Sequence, residues 1–338
     1  MPNIFEKIFS IKNNKNKKIL TIFGIKFSFS RKKEALVKEL SKQISNMRAE
    51  LDSLHYIKNI ILDPKDLPEA RGEMREFQLR LASFAKNISD KLIEIGVHPM
   101  LTGGNLLGAV RNGRFIPWDD DFDFDLLREE FDKLLEYVKN NCIFVDSSEC
   151  TSYFQYDDLV DMALRNNKGK IVWGLKPTSF SAYLGESLEN FCVVDFFPRD
   201  FVNDNLGEDG YIRYRKNVEH YRPKGTRWGE IFEWQKNELK KEEIFAKSGK
   251  MTAKSWGSLD FVKGEKYVFV ATSSVMPYSK ILFENAEYYT YAKPKDYLHA
   301  MYGNYNLIPK KIEQYHVING MNQYLKRTGR KFYINPNE

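Results

Sequence analysis

The pattern of apolar and polar residues is clearest between Leu101 and Leu127, where three segments follow one another. Thr102 to Asn105 contains two successive glycines, which is typical of a tight turn. The apolar run from Leu106 to Val110 predicts a short helix opened by this turn. Aspartates interleaved with phenylalanine cover residues 119–125, and this pattern predicts a β-strand with one face in a core.

Strand alternation sorts the aspartates onto two faces. Asp120 points toward the core side with Phe122 and Phe124, while four carboxylates share the opposite face: Asp119, Asp121, Asp123 and Asp125. Carboxylates this close raise each other's proton affinity unless a cation lies between them. Hard oxygen ligands of this kind suit Mg²⁺ or Mn²⁺. We therefore predict Asp121 and Asp123 as metal ligands, with Asp119 as a further candidate.

Gly103 and Gly104 stand at the start of the predicted helix, where backbone N–H groups can cradle a phosphate, with Asn105 beside them. A phosphate cradle that leads into a metal-binding strand indicates phosphoryl or nucleotidyl transfer. A calcium-binding loop is the nearest alternative reading of the acids. It is excluded because its sixth position would be Phe124 instead of glycine, and Pro117 interrupts the helix that should enter it.

A second strand is predicted from Phe191 to Pro198, which is apolar except for Asp195. An acid in such a run is costly to bury without a partner. Asp195 therefore either shares a metal with Asp121 and Asp123 or is hydrogen-bonded at the end of its strand.

Apolar spacing predicts further elements along the chain. Helices are predicted over residues 73–96, 128–140, 211–221, 228–247 and 294–302. Short strands are predicted over residues 142–145, 161–165 and 170–173.

The first 62 residues have patterns of their own. Residues 1–33 are basic and alternate apolar positions from Ile19 to Phe29, which predicts a small hairpin. This hairpin either rests on an anionic inner membrane surface or packs as a β-unit on the body or another subunit. Residues 34–62 predict a helix whose apolar positions between 37 and 54 form a coiled-coil seam. That seam either joins two copies of the chain or packs back on the main domain.

Composition narrows the class of protein. A hydrophobic share of 42% in 338 residues allows a substantial core. Residues 1–33 carry a side-chain charge of +8, so the remaining residues together carry −2 of the net +6, which disfavours nucleic-acid binding. Three cysteines without a CxxC pair indicate a reduced compartment and no structural zinc. Without an apolar leader or an apolar run of about 18 residues, we expect a cytoplasmic protein.

These motifs resemble the signature of the LicD family, also called the fukutin-related phosphotransferases. The first matching block runs from Gly104 to Arg111 and continues from Phe115 to Asp123. Val194 to Pro198 is similar to the family's second acidic strand, and Pro294 to Tyr305 is similar to its tyrosine- and glycine-rich C-terminal block. Asn105 departs from the family pattern, since many members have Thr or Ser there.

The resemblance implies an α/β (α+β) fold, with a nucleotidyltransferase-like mixed sheet flanked by helices in a catalytic domain over residues 70–330. It also implies transfer of a phospho-alcohol, such as phosphocholine, ribitol phosphate or glycerol phosphate, from a CDP-activated donor to a sugar hydroxyl, with release of CMP. The expected acceptor is a glycan of the capsule or lipooligosaccharide type.

The resemblance also implies roles for single residues. Asp121, Asp123 and Asp195 hold the Mg²⁺ or Mn²⁺, and Asp195 is a candidate base for the acceptor hydroxyl. The predicted nucleotide or phosphate ligands are Gly103, Gly104, Asn105, Arg111 and Arg128. A salt bridge to a nearby acid is the alternative for either arginine. Two other functions stay open: a nucleotidyltransferase that leaves NMP on its acceptor, and a non-catalytic scaffold of a polysaccharide-assembly complex.

Overall fold

The computed structural model describes residues 9–14, 17–22, 25–29, 34–61, 63–177, 179–220, 225–241, 243, 245–254, 268–308, 315–331 and 334. The chain divides into two compact units, Met1–Asp63 and Pro64–Glu338. Across the described ranges, no helix is long and apolar enough to cross a membrane.

Among its described residues, the first unit contains three antiparallel strands and one helix. The strands, side by side in chain order, are β1 (Phe9–Asn14), β2 (Lys17–Ile22) and β3 (Ile25–Phe29). β2 and β3 confirm the predicted hairpin, with Ile22 opposite Ile25, whereas the alternation did not predict β1. Helix α1 (Glu34–Ile61) confirms the predicted coiled-coil-like helix. Most basic side chains of residues 1–33 lie outside the described residues.

The second unit is built on one mixed sheet. In chain order its strands are β4 (Met100–Leu101), β5 (Asp123–Leu127), β6 (Ile143–Val145), β7 (Ile171–Leu175), β8 (Phe180–Ser187), β9 (Asn190–Val202), β10 (Phe245–Ala246), β11 (Met251–Lys254), β12 (Phe269–Ala271), β13 (Ser279–Phe283) and β14 (Ala286–Thr290). Across the sheet the order is β13-β14-β4-β5-β9-β8-β7-β6, with β10 and β11 beside the end of β9 and β12 beside β11. The two central strands, β5 and β9, are parallel to each other.

Helices connect and cover these strands. A short 3₁₀ helix (Pro64–Asp66) precedes them, and the described α-helices are α2 (Gly72–Glu94), α3 (Gly103–Asn112), α4 (Arg128–Asn141), α5 (Tyr153–Asn166), α6 (Gly207–His220), α7 (Trp228–Lys241), α8 (Thr272–Val275), α9 (Pro294–Tyr302) and α10 (His316–Arg327). The predicted helices over residues 73–96, 128–140, 211–221 and 294–302 therefore have counterparts in the described residues.

Three predicted elements differ from the structure. Residues 161–165 belong to helix α5 and not to a strand, because Tyr156, Val160 and Leu164 form a buried stripe at helical spacing. Helix α7 ends at Lys241, and part of the segment predicted to continue it pairs with β9 as β10. The acidic strand begins only at Asp123, because a turn after Ile116 keeps the preceding aspartates in a loop.

One face of the sheet, which we call the aromatic face, packs into the core. Phe124 and Phe196 on neighbouring strands stack with their ring centroids 5.6 Å apart, and both are fully buried. Helix α4 covers this face through Phe131, whose ring contacts Phe180. Burying each of these side chains stabilises the fold by about 1.5–3 kcal/mol, which fixes the register of β5 against β9.

The opposite face, which we call the acidic face, carries Asp123, Asp125 and Asp195. Helix α5 packs there so closely that a Cβ on Gly174 would lie 2.4 Å from the hydroxyl of Tyr156. The apolar alternation of β5 and β9 thus buries one face and leaves the carboxylates together on the other.

Candidate active site

The sheet brings two of the predicted metal ligands together. β5 and β9 are in register, so that Asp123 lies directly beside Asp195. Neighbouring strands are about 4.8 Å apart, which makes the two side chains close neighbours on the acidic face. Like charges at such a spacing repel each other unless a cation or hydrogen-bond donors compensate them.

Asp119 and Asp121 lie in the loop that leads into β5. Their carboxyl groups are within hydrogen-bonding reach of each other, although two ionised carboxylates have no proton to share. Burial, together with the charges of Asp121 and Asp123, raises the pKa of Asp119 well above its usual range. Among the described residues, Oδ2 of Asp119 accepts no hydrogen bond. This loop therefore has more acceptor oxygens than the described donors satisfy.

The two glycines of the predicted phosphate cradle lie against these carboxylates. Gly103 begins α3 with a φ of +58°, and a Cβ on it would lie 3.2 Å from Oδ2 of Asp123. A Cβ on Gly104 would lie 2.7 Å from Oδ2 of Asp119. Glycine thus lets the first turn of α3 approach the acids, where the positive end of the helix dipole stabilises negative charge by about 0.3–1 kcal/mol.

Asn105 supports the acidic loop. Its side chain is fully buried, Nδ2 donates to the carbonyl oxygen of Asp121 over 3.1 Å, and Oδ1 accepts from the backbone N–H of Asp123 over 2.7 Å. Because both ends of the amide are engaged by the loop, the geometry gives Asn105 a positioning role, and its phosphate contact stays a prediction. This position needs a side chain that both donates and accepts a hydrogen bond, and the amide group of Asn does both.

The residue before the glycines does not cap helix α3. Thr102 occupies the N-cap position, but its hydroxyl donates to the hydroxyl of Tyr297 over 2.7 Å and makes no cap hydrogen bond. The first N–H groups of α3 are therefore left without a side-chain cap, as an anion-binding helix start requires.

The hydrogen bonds described for the two predicted arginines go to groups other than Asp121, Asp123 and Asp195. Arg111 lies in the last turn of α3, about 12 Å along the axis from the start of the helix at 1.5 Å per residue, and donates to backbone carbonyl oxygens that include that of Tyr305. Arg128 forms a two-point ion pair with Asp200, at 2.9 and 3.0 Å. Asp200 points to the aromatic face, five residues after Asp195 in β9. The salt-bridge alternative therefore describes Arg128.

A buried ionic network lies further along the acidic face. Asp125 pairs with Arg199 at 3.2 Å and with Lys254 at 3.0 Å, and the side chains of Asp125 and Arg199 are completely buried. Although burial opposes ionisation of Asp125, the charges of Lys254 and Arg199 hold its pKa below its usual range. Asp125 thus has two resident cations and is not a candidate metal ligand.

Two tyrosines connect this network to the start of α3. The hydroxyl of Tyr291 donates to Asp125, and its ring stacks on that of Tyr297 with centroids 4.2 Å apart. Tyr297 in turn accepts the hydrogen bond from Thr102. The C-terminal block therefore holds the site in place from the side of α9.

Sequence reasoning missed Arg199 and Lys254. The available signal for Arg199 was its position four residues after Asp195 in one strand, which places both side chains on the same face. Lys254 had no such signal, because β11 pairs with β9 from more than fifty residues further along the chain.

A cavity of about 1370 Å³ opens elsewhere, on the aromatic face between α4 and α7. Arg128 and Asp200 form part of its wall, together with apolar side chains that include Leu135, Phe144 and Phe232. The candidate ligands are on the other face of the sheet, so this cavity is separate from the acidic site.

The acidic face fits a hard divalent cation by its chemistry. Asp121, Asp123 and Asp195 supply the carboxylate oxygens that Mg²⁺ and Mn²⁺ prefer, and the unsatisfied oxygen of Asp119 marks a place where positive charge is missing. Within the part of the chain that the structure describes, no three acidic, histidine or cysteine side chains are grouped closely enough to hold a metal ion as they stand. At least one of these carboxylates would therefore have to move toward the others when a metal binds.

A mixed sheet that presents acids on two adjacent strands, beside a helix that begins with two glycines, is the arrangement expected of a nucleotidyltransferase-like domain. Residues 96–224 match the model of the family described as LicD/FKTN/FKRP, nucleotidyltransferase domain. The predicted resemblance to the LicD family is confirmed in this part of the chain, and the predicted α/β class of fold is confirmed as well.

Two curated proteins are similar to segments of this chain. Mannosyltransferase regulator 4 of Saccharomyces cerevisiae is 24% identical over 150 residues, which cover 44% of this chain and 12% of the yeast protein. Lipopolysaccharide cholinephosphotransferase LicD of Haemophilus influenzae is 47% identical over 36 residues, which cover 11% of this chain and 14% of that protein. The chain thus spans only about an eighth of the yeast protein and about a seventh of the Haemophilus protein.

Proposed function

We propose that this protein is a metal-dependent phosphotransferase that moves a phospho-alcohol from a CDP-activated donor to a hydroxyl of a cell-surface glycan and releases CMP. The observation that carries the proposal is the register of β5 and β9, by which Asp123 lies beside Asp195 next to the glycine-opened helix α3. The LicD match over residues 96–224 and the likeness to a lipopolysaccharide cholinephosphotransferase support a phosphate-containing group and a glycan acceptor.

In this proposal Asp121, Asp123 and Asp195 hold the Mg²⁺ or Mn²⁺, with Asp119 beside them. When bound, the cation neutralises charge on the donor diphosphate and on the leaving CMP. The uncapped N–H groups in the first turn of α3 bind a donor phosphate, while Asn105 keeps the acidic loop in place. Asp195 is also the candidate base for the acceptor hydroxyl.

A donor screen tests the proposal. CDP-choline, CDP-ribitol and CDP-glycerol are each incubated with the protein, Mg²⁺ and capsule or lipooligosaccharide acceptor, and CMP release is measured with and without EDTA. We expect one donor to release CMP and to modify the glycan only when the metal is present. Pyrophosphate release from an NTP, without CMP release from any donor, would replace the proposal by the nucleotidyltransferase alternative.

The same preparations test the scaffold alternative. A scaffold would bind a CDP-ligand or the glycan without requiring Mg²⁺ and would release no CMP. Calorimetric titration of the CDP-ligands with and without Mg²⁺ therefore separates a scaffold from an enzyme, because only the enzyme needs the cation to offset its clustered carboxylates.

We also propose that the enzyme works in the cytoplasm, with residues 1–33 in peripheral contact with the inner face of the membrane and residues 37–54 joining two copies. The basic composition of the first segment and the heptad spacing of the second support these contacts. Flotation with anionic vesicles tests the first, and light scattering of the full chain tests the second.

A further inference from the structure

The hydrogen bonds of Asp195 are distributed unequally between its two oxygens. Oδ1 accepts from the ammonium group of Lys176 at 3.1 Å, from the hydroxyl of Ser179 at 3.2 Å, and from the hydroxyl of Ser181. None of the hydrogen bonds described for this side chain goes to Oδ2. One oxygen is therefore saturated while the other keeps its lone pairs.

All three donors come from one β-hairpin. β7 and β8 are antiparallel, with Leu175 opposite Phe180, and the backbone N–H of Lys176 donates to the carbonyl oxygen of Ser179 over 2.8 Å. Ser181 lies directly opposite Asp195 in the neighbouring strand pair, on the same face of the sheet. The pairing of the strands therefore fixes the positions of the three donor side chains relative to Asp195.

These donors are shielded from water. Ser181 is fully buried and Ser179 nearly so, and the side chain of Lys176 is 16% exposed. Hydrogen bonds made by buried and charged donors hold a carboxylate more tightly than exposed ones do.

We propose that Lys176, Ser179 and Ser181 are positioning residues that bind Oδ1 of Asp195 and thereby direct Oδ2 toward the cation shared with Asp123. This inference rests on the proposed metal-dependent function. It adds the reason why Asp195 has a defined orientation beside Asp123 before a donor binds: the carboxylate cannot rotate without breaking three hydrogen bonds. Partners that orient a ligand in this way affect metal affinity by about 10–100-fold.

The test is Mn²⁺ binding to the full chain in the absence of any donor, followed by electron paramagnetic resonance. Ser181→Ala removes one donor without changing charge, and we expect Mn²⁺ to bind about 10-fold more weakly. Ser179→Ala provides the same test at a second position, should the first variant fold poorly. Lys176→Met is less suitable, because loss of its positive charge attracts the cation while loss of its hydrogen bond frees the carboxylate.

Ser147→Ala is the matched control. Ser147 is also buried and also donates one hydrogen bond, to the carbonyl oxygen of Leu175, but it lines the cavity between α4 and α7. We expect it to lower thermal stability without changing Mn²⁺ affinity. Unchanged Mn²⁺ affinity in both Ser181→Ala and Ser179→Ala would overturn the positioning role alone. A wild-type protein that binds no Mn²⁺ would overturn the proposed function and this inference together.

Discussion

Asp123 and Asp125 stand two residues apart on one strand and one face of the sheet, yet their surroundings are opposite. Asp125 is completely buried and pairs with Arg199 and Lys254. Asp123 lies beside a second acid, Asp195. An aspartate side chain is thus part of an ion network at position 125, whereas at position 123 it belongs to a cluster of acids.

The difference shows what separates a structural acid from a candidate functional one. At Asp125 the fold itself supplies the compensating cations, so the charge is balanced when the protein is alone. Around Asp123 the protein supplies helix α3, Asn105 and the hairpin donors on Asp195. The charge of Lys254 also acts on Asp123, but Lys254 is shared with Asp125, and the carboxyl groups of Asp119 and Asp121 lie close by. In the proposed function, a divalent cation with a phosphate-containing donor completes this balance, because it has the required charge.

The largest expected effect is that of Asp123→Asn on catalysis. Metal ions supply several kcal/mol of transition-state stabilisation, so we expect CMP release to fall by at least about a thousand-fold. The thermal midpoint should stay the same or rise, because the substitution relieves repulsion with Asp195. Asp132→Asn, at a largely exposed acid on the aromatic side, is the control and should keep full activity. Normal metal-dependent turnover by Asp123→Asn would refute the site.

Asp125→Asn, in contrast to Asp123→Asn, should mainly lower the stability of the protein. It leaves the buried guanidinium of Arg199 with one counter-charge fewer, and breaking such a pair costs about 3–5 kcal/mol. Urea denaturation of wild type, Asp125→Asn and Asp123→Asn measures the contrast directly. A loss below about 1 kcal/mol for Asp125→Asn would mean that the two acids are not distinguished by their resident partners.

Much of this contrast could not be predicted from the sequence, although the acids themselves could. Alternation placed Asp123 and Asp125 on one face because strand geometry has a strict period of two. It gave no information on which acid would meet a cation, since Lys254 arrives from β11 by long-range pairing. Local pattern predicts faces, whereas neighbours across a sheet depend on topology.

The segment between helix α3 and strand β5 shows a second limit of prediction from the sequence. The aspartates at 119–121 were predicted to continue the strand, but the turn after Ile116 keeps them in a loop held by Asn105. Asn105 was predicted as a phosphate ligand, and the sequence did not indicate its contacts with the acidic loop. Its two-ended hydrogen bonding to the loop backbone depends on distances between residues 105 and 121–123 that no local pattern contains.

Gly104→Ala tests how closely the helix start must approach the acidic loop. The new Cβ would lie 2.7 Å from Oδ2 of Asp119, so the carboxylate has to move. We expect activity and Mn²⁺ affinity to fall by about 10–100-fold, as for other changes that misplace a ligand, with a small change in thermal midpoint. Gly320→Ala is the control: its Cβ meets nothing within 4 Å in helix α10, so it should raise stability slightly. Equal activities of the two variants would contradict the close approach.

Asp157 provides an intermediate case on the same side of the sheet, in the second turn of α5. Burial raises its pKa to about 7; Lys176 opposes this shift and Asp158 adds to it. Because the folded state binds this proton more tightly than the unfolded state, Asp157 destabilises the protein progressively as pH rises from about 4 to about 7. Asp157→Asn should therefore raise stability by roughly 1–2 kcal/mol at pH 8, a value discounted for partial exposure, and much less at pH 4. Urea midpoints of both proteins across this range test the sign. A loss of stability in Asp157→Asn at pH 8 would instead show that Asp157 is balanced by a resident partner, as Asp125 is.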